Sequence, residues 1–377
     1  MRKLRKIAIN TGGGDAPGLN AVIRAATLAA LESGYEVWGI RHGYRGLLEP
    51  EAGGLVRLDR DEVRGIGHLG GTILGTVNRG DPFHYPTRVP GSEKLVPVDR
   101  ADELVTRFKE QGFEALIAVG GDGSQKIAHR LMGRGLPRVI GVPKTIDNDV
   151  LGTEVTFGFD TAVSIATEAI DRLHTTAESH ERVMVVEVMG RHAGWIALRA
   201  GLAGGADVLL IPEIPYSYEP IVAKVRQRDD RGRRFTIVVV AEGAVPAGGT
   251  FAVKDQGDEF RRVAVLGGIA QQIEKELAKR TGKECRSISL GHLLRGGGPT
   301  TFDRQLALRF GAAAVRFLNE TNESGVVAIR GDEIALADFE LVCSGTKLVS
   351  PACDTVKTAR AMGICFGDEP AERFFAV

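Results

Sequence analysis

The 377-residue chain is long enough for two ordinary domains, and its 43% apolar and 25% charged residues are those of a globular protein with no run near membrane-spanning length. Its 48 basic side chains balance 48 acidic ones, so no global positive charge offers a grip on nucleic acid, and any bound anion must meet a local cluster. The start, MRKLRKIAIN, has no long apolar core or small-residue cleavage site, and Cys285, Cys343, Cys353 and Cys365 form no Cys-x-x-Cys pair. Secretion, zinc and a disulfide framework are therefore not indicated, and inert, packed cysteines in a reducing cytoplasm are expected.

In chain order, short apolar and β-branched runs predict strands at Lys6–Asn10, Glu36–Ile40, Ala115–Val119, Val139–Val142, Val183–Val188, Val208–Ile211 and Thr236–Val240. Longer helical patterns lie between them. This alternation predicts an α/β fold of mostly parallel sheets with crossover helices. The 49 glycines gather where strands end and helices begin, at Gly12 to Gly14, Gly120 to Gly123 and Gly296 to Gly298, and phosphate sites are built at such junctions. GAVPAGG, residues 243–249, reads as an exposed loop.

The first junction, Thr11-Gly-Gly-Gly-Asp-Ala-Pro-Gly-Leu-Asn20, leads into an amphipathic helix over Leu19–Leu31. Its glycines let backbone N–H groups approach phosphate oxygens; a purely structural tight turn is the alternative. It has neither the Walker nor the dinucleotide-binding spacing. The second, Ala118-Val-Gly-Gly-Asp-Gly-Ser124, sets an acid among glycines, so Asp122 suits a Mg²⁺ ion bridging phosphates, or else a turn and cap, with Ser124 expected to cap the next helix.

The third junction, Val142-Pro-Lys-Thr-Ile-Asp-Asn-Asp149, crowds two carboxylates and a lysine into one short loop. Phosphoryl transfer to an alcohol needs a base, a metal to neutralise charge and donors on the moving group, roles that Asp147, Asp149 and Thr145 can fill in that order. An Asx-turn accounts for one aspartate but not for the cluster. Arg191, Arg286, His292 and Arg295 also lie at strand ends or helix starts, where arginine forks suit a sugar phosphate. Singly, each arginine fits a solvated surface as well, and His292 a structural role; Glu242, after the last predicted strand, suits a sugar hydroxyl or plain exposure.

Taken jointly, Gly13-Gly-Asp-Ala-Pro-Gly18, Gly120-Gly-Asp-Gly-Ser124, Thr145-Ile-Asp-Asn-Asp149, Met189-Gly-Arg191 and Gly291-His-Leu-Leu-Arg-Gly-Gly297 resemble the 6-phosphofructokinases over nearly the whole chain. The resemblance implies two Rossmann-like, three-layer α/β domains with the active site in the cleft between them, residues 1–158 plus 294–345 serving the phosphate donor and 159–293 plus 346–377 fructose 6-phosphate. It implies a glycolytic kinase with Mg²⁺ as cofactor, and a homotetramer or homodimer with shared sites. Asp147 matches the base that takes the proton of the sugar 1-hydroxyl, Thr145 and Arg191 match groups on the transferring phosphoryl, and Asp122 and Asp149 match magnesium-associated aspartates. Gly13, Tyr44, Arg79, Gly121, Asp122, Gly123, Ser124 and Lys144 fall at the donor site. Met189, Gly190, Glu242, His292 and Arg295 would hold fructose 6-phosphate, with Arg182 and Arg286 lent by a neighbouring subunit.

Two positions bear on the donor. Lys144, before Thr-Ile-Asp-Asn-Asp, is typical of pyrophosphate-dependent members, whereas Gly123 stands where those usually carry a second aspartate. A carboxylate at position 123 would repel a nucleotide's α-phosphate, so glycine favours ATP, with pyrophosphate the alternative donor. Arg24 and Arg60 match effector-site arginines, but Leu28 replaces a third. NAD and lipid kinases share only the Gly120–Ser124 stretch, and a non-catalytic sugar-phosphate sensor would not need Asp147.

Overall fold

The structure, a computed structural model, describes residues 5–88, 91, 94–255 and 265–375. From the N-terminus the main elements are β1 (Lys6–Gly12), α1 (Leu19–Glu32), β2 (Glu36–Ile40), β3 (Leu55–Leu58), α2 (Ala101–Glu110), β4 (Ala115–Gly120), α3 (Asp122–Gly133), β5 (Arg138–Pro143) and α4 (Phe159–Ser179). There follow β6 (Val183–Val188), α5 (Trp195–Ala203), β7 (Val208–Leu210), α6 (Tyr218–Asp230), β8 (Thr236–Ala241), α7 (Ile269–Thr281), β9 (Cys285–Ser289), α8 (Thr301–Glu320), β10 (Gly325–Arg330), β11 (Glu333–Ala337) and α9 (Asp354–Ala361).

Among the described residues, the larger sheet has seven strands in the order β11-β10-β5-β4-β1-β2-β3, parallel except where the edge strands β11 and β3 pair antiparallel. The chain runs outward from β1 through β2 on one side and from β4 through β5 on the other. The strand order therefore switches between β1 and β4, and an open α/β sheet forms its binding crevice at the carboxyl ends beside such a switch. The second sheet, β9-β6-β8-β7, is parallel throughout.

Both sheets are covered on their two faces, which is why their central strands read as continuous apolar runs. Ile7 and Ile9 of β1 and Ala115, Ile117 and Val119 of β4 pack into one core, while Ala8, Leu116 and Ala118 pack into the core on the opposite face. In the second sheet Met184, Val186 and Val188 of β6 face one core and Val183 and Val185 the other.

The seven predicted strands and the first helix are present, with ends moved by a residue or two. Not anticipated were β3, β11 and the hairpin Tyr85–Arg88 with Leu95–Val98, all edge or mixed-exposure segments without a clean apolar run, and β10, an interior strand whose buried Val326-Val-Ala-Ile329 run sequence reasoning missed. Ser124 does not cap α3, because the helix starts at Asp122 behind Gly121, which places Ser124 inside the first turn. Nor is 243–249 wholly an exposed loop: Gly243 and Ala244 are buried, since Gly243 donates its N–H to Gly190 O at 3.1 Å against the end of β6.

Among the described residues no helix is long and apolar enough to cross a membrane. Cys285 and Cys365 are buried, and burial pushes the Cys285 thiol up to about 11, which suits packing.

Candidate active site

Register brings the glycine junctions together. In the larger sheet Gly12 at the end of β1 sits opposite Gly120 at the end of β4, and Gly120 opposite Pro143 at the end of β5. The three motifs that follow these strands thus emerge side by side. Buried Gln125 of α3 fastens the row, its side-chain amide donating to the carbonyls of Ala118, Gly120 and Val142 at 3.3, 2.9 and 3.1 Å. Gly13 has φ +75°, in the left-handed region that glycine tolerates, and its carbonyl accepts from Thr76 Oγ1 at 2.5 Å.

A cleft of about 450 Å³ opens at these strand ends, lined by Gly12 to Gly14, Tyr44, Gly121 to Ser124, Lys144, Thr145, Asp147, Asp149, Arg191 and Arg295. Most of the predicted donor and catalytic residues therefore share one cavity. Arg79 does not line it, although its neighbours Asn78 and Gly80 do. Asn10, Val77, Asn78 and Asp81 also line it and were missed by sequence reasoning. A signal existed for Asn10 alone: a polar side chain, 3% exposed, at the end of the apolar run Ile7-Ala-Ile, where it hydrogen-bonds Tyr44.

The cleft sets carboxylates against cations. Burial raises the Asp147 carboxyl above the ordinary aspartate range, against the pull of Arg295, Lys144 and Arg191. Asp149 is raised to about 6, first by burial and then by the charge of Asp147. Lys144 is depressed to about 8 by burial and by Arg295, and its ammonium donates to the Gly14 carbonyl. Asp122 Oδ2 pairs with Lys126 at 2.8 Å, whereas Asp122 Oδ1 and Asp147 Oδ1 are buried without a hydrogen-bond partner among the described residues. Two open carboxylate oxygens in one cleft have acceptor capacity for an incoming donor or cation.

The loop of the third junction is built tightly. Thr145 Oγ1 accepts the Asp147 N–H at 3.0 Å, Thr156 Oγ1 donates to Thr145 O at 2.7 Å, and Asn148, at φ +52°, reverses the chain between the two aspartates.

The end of the second sheet faces the same region. Met189 to Arg191 follow β6 and Glu242 follows β8, with the Glu242 N–H donating to Val188 O at 2.9 Å. Burial, then the Asp147 charge, raises Glu242 to about 7, while Arg191 opposes the rise. Gly190 has φ +136°, and a Cβ there would lie 2.8 Å from Ala193 O, so the tight turn that carries Arg191 requires glycine. Exposed His292 and half-buried Arg295 stand on the short helix Gly291–Arg295, and Arg295 Nη1 donates to Asp15 O at 3.0 Å, linking the two sheet ends.

Arg182 and Arg286 stand apart from this group. Each pairs with Glu284, at 2.9 and 2.5 Å, at the opposite, amino end of the second sheet. The six residues of β6 between Arg182 and Met189 span roughly 20 Å at about 3.3 Å per residue. Within one protomer neither arginine meets the cleft. At the expected effector position Arg24 Nη1 donates to Val63 O at 2.7 Å, Arg60 pairs with Glu32, and Leu28 packs against the core.

Among the described residues no group of three or more His, Cys, Asp or Glu is spaced to enclose a metal. Magnesium is instead commonly held by one or two carboxylates together with substrate phosphates and water, and Asp122 and Asp149, with the open Oδ1 of Asp122, fit that donor set.

Two α/β sheets whose carboxyl ends combine a glycine cradle, clustered aspartates and convergent cations define a phosphotransferase of the sugar-kinase kind. The phosphofructokinase family model matches residues 6–318, and the chain belongs to that family. It is 49% identical over 370 residues to ATP-dependent 6-phosphofructokinase 2 of Clostridium perfringens, covering 98% of this chain and all of that one. It is also 48% identical over 348 residues to the pyrophosphate–fructose 6-phosphate 1-phosphotransferase of Amycolatopsis methanolica, covering 92% and 96%. Among solved structures it matches Pichia pastoris phosphofructokinase in the T-state with a TM-score of 0.75 and 31% identity, over 97% of this chain but only 37% of that longer one.

Proposed function

We propose that this protein is an ATP-dependent 6-phosphofructokinase that moves the terminal phosphoryl group of ATP to the 1-hydroxyl of fructose 6-phosphate. The observation that carries this reading is Asp147: a carboxylate whose Oδ1 is buried and open, in one cleft with the Gly13 and Gly121–Ser124 cradle and with Arg191 and Arg295.

In this reading Asp147 accepts the proton of the 1-hydroxyl as that oxygen bonds to the terminal phosphorus, and the bond from phosphorus to the bridging oxygen of the leaving ADP breaks. The raised affinity of Asp147 for a proton makes it a stronger base than a solvated aspartate, provided the pH keeps it ionised. Arg191 and Thr145 steady the moving phosphoryl group, and Lys144 neutralises donor phosphates. Asp122 and Asp149 would hold Mg²⁺, which neutralises charge on the donor phosphates when bound. Met189, Gly190, Glu242, His292 and Arg295 take the sugar phosphate.

ATP is favoured over pyrophosphate at Gly123, where a Cβ would meet nothing within 4 Å, so the path past it is open to a nucleotide. Lys144 serves either donor. Arg182 and Arg286, remote from their own cleft, would complete the sugar-phosphate site of a neighbouring copy, which makes the active unit at least a dimer, with a homotetramer as the expected assembly. The two sheets support a division into a donor domain, residues 1–158 plus 294–345, and a sugar domain, residues 159–293 plus 346–377. A coupled assay of the purified protein with fructose 6-phosphate, comparing ATP with pyrophosphate, is the direct test. A higher kcat/KM with pyrophosphate refutes the donor assignment, and no turnover with either refutes the reading.

A further inference from the structure

A segment outside both sheets holds the Asp147 loop. After the short helix Phe339–Cys343 the chain passes behind the third junction, and the Lys347 ammonium donates to Asn148 Oδ1 at 2.8 Å, Thr153 O at 3.1 Å and Glu154 O at 2.8 Å. An ammonium has three protons, and here each has an acceptor. The Lys347 backbone N–H donates to Asp149 O at 2.9 Å, and its carbonyl accepts Trp195 Nε1–H at 2.8 Å. Two residues on, Val349 N–H donates to Glu213 at 2.8 Å, and the same carboxylate accepts Gly194 N–H at 3.0 Å.

Gly194 and Trp195 end the turn that carries Arg191. Asn148, for its part, is the residue whose left-handed backbone lets Asp147 and Asp149 both line the cleft. Its Oδ1 has two partners, Lys347 and the Thr156 N–H at 3.2 Å. Asparagine tolerates this backbone region, and the ammonium and the Thr156 N–H together hold its side chain there.

We propose that Lys347 is a positioning residue for phosphoryl transfer, fastening the Asp147–Asp149 turn of the larger sheet to the Arg191 turn of the second. The inference rests on reading the cleft as a phosphotransferase site. Lys347 does not line the cleft. Losing the ammonium therefore loosens the turn that carries the base, while the retained backbone bond to Trp195 keeps the Arg191 turn, with the sugar-binding Met189 and Gly190, in place. A misplacement of about 1 Å at reacting atoms lowers rate by about 10²-fold.

The test uses the full-length protein, with Lys347→Met keeping the stem and the backbone contacts, Asn148→Ala, and the double variant. Expected for Lys347→Met is a kcat loss of roughly 10- to 100-fold, with KM for fructose 6-phosphate and ATP within about twofold. The double variant is expected to lose less than the product of the two single losses, because both remove the shared Lys347–Asn148 bond. Native kcat in Lys347→Met, or losses that multiply in the double variant, overturns the proposal. Hydrogen exchange supplies a readout independent of turnover: amides of 145–149 should exchange faster in Lys347→Met while those of β1 and β6 do not change, and unchanged exchange at 145–149 likewise overturns it. An inactive native protein refutes the proposed function before any variant is made, and the exchange experiment still decides the positioning role. Should Lys347→Met not fold, Lys347→Arg keeps the charge in a planar fork that cannot meet three converging acceptors. The same selective loss of kcat is expected of it, and native kcat overturns the proposal.

Discussion

Replacing Asp147 by asparagine separates the chemistry of the cleft from its stability. Asn keeps the shape but cannot take a proton, so turnover should fall by about 10²- to 10⁴-fold, roughly 3–5 kcal/mol of barrier, with KM for fructose 6-phosphate little changed. Stability should move the other way. A carboxyl whose folded pKa is raised binds its proton more tightly in the folded state, so its contribution is favourable below the unfolded value near 3.8 and is lost as pH rises through the folded one. Asp149, raised from 3.8 to about 6, corresponds to about 3 kcal/mol of destabilisation at neutral pH. The Asp147 charge is its second cause after burial, so that figure is the ceiling on what Asp147→Asn can return through Asp149. The thermal midpoint of Asp147→Asn should exceed that of the native protein at pH 8, by about 2–4 °C for each kcal/mol regained in a domain of this size. The gain should shrink towards pH 4, where the native carboxyls are already protonated. The assays are steady-state turnover and calorimetry at pH 8 and pH 5. An Asp147→Asn protein that keeps more than a tenth of native turnover refutes the base assignment, and one equally stabilised at both pH values refutes the electrostatic reasoning.

Gly123→Asp meets no atom within 4 Å at the Cβ, so it should fold normally and still lower kcat/KM for ATP. Two charges about 5 Å apart repel by roughly 1–3 kcal/mol between effective dielectrics of 80 and 20, an upper range of about 100-fold, and an unchanged ATP profile counts against the placement of the nucleotide. Arg182→Ala and Arg286→Ala should raise KM for fructose 6-phosphate far more than KM for ATP. Hybrids of inactive Arg182 and Asp147 variants should regain activity, and no recovery despite demonstrated subunit exchange would speak against sharing. With Glu242 raised to about 7 and Asp149 to about 6, and carboxylates ionised only above those values, kcat/KM for fructose 6-phosphate should decline as pH falls from 8 to 5.5. A flat profile to pH 5 contradicts the burial of these groups.

What the amino-acid sequence determined by itself was the local chemistry. Central strands such as Ala115–Gly120 are buried on both faces, so they read as near-continuous apolar runs, and glycine and aspartate at their ends mark the turns that follow. The Asp147 loop, the cradle at Gly121 to Ser124 and the Arg191 turn were legible because each is contiguous in the chain. Strands β3 and β11 were not, because a partly exposed edge strand need not carry an apolar run. Only the tertiary structure decided which motifs meet. The register of Gly12 with Gly120 and of Gly120 with Pro143 sets three distant junctions in one row, and it follows from hydrogen-bonded pairing between strands far apart in sequence. The same geometry sends Arg182 and Arg286 to the far end of the second sheet, and it draws Lys347, unremarkable among its sequence neighbours, behind Asn148. No local pattern encodes these distances, since they depend on how strands and loops with no covalent proximity are brought together when both sheets bury their faces.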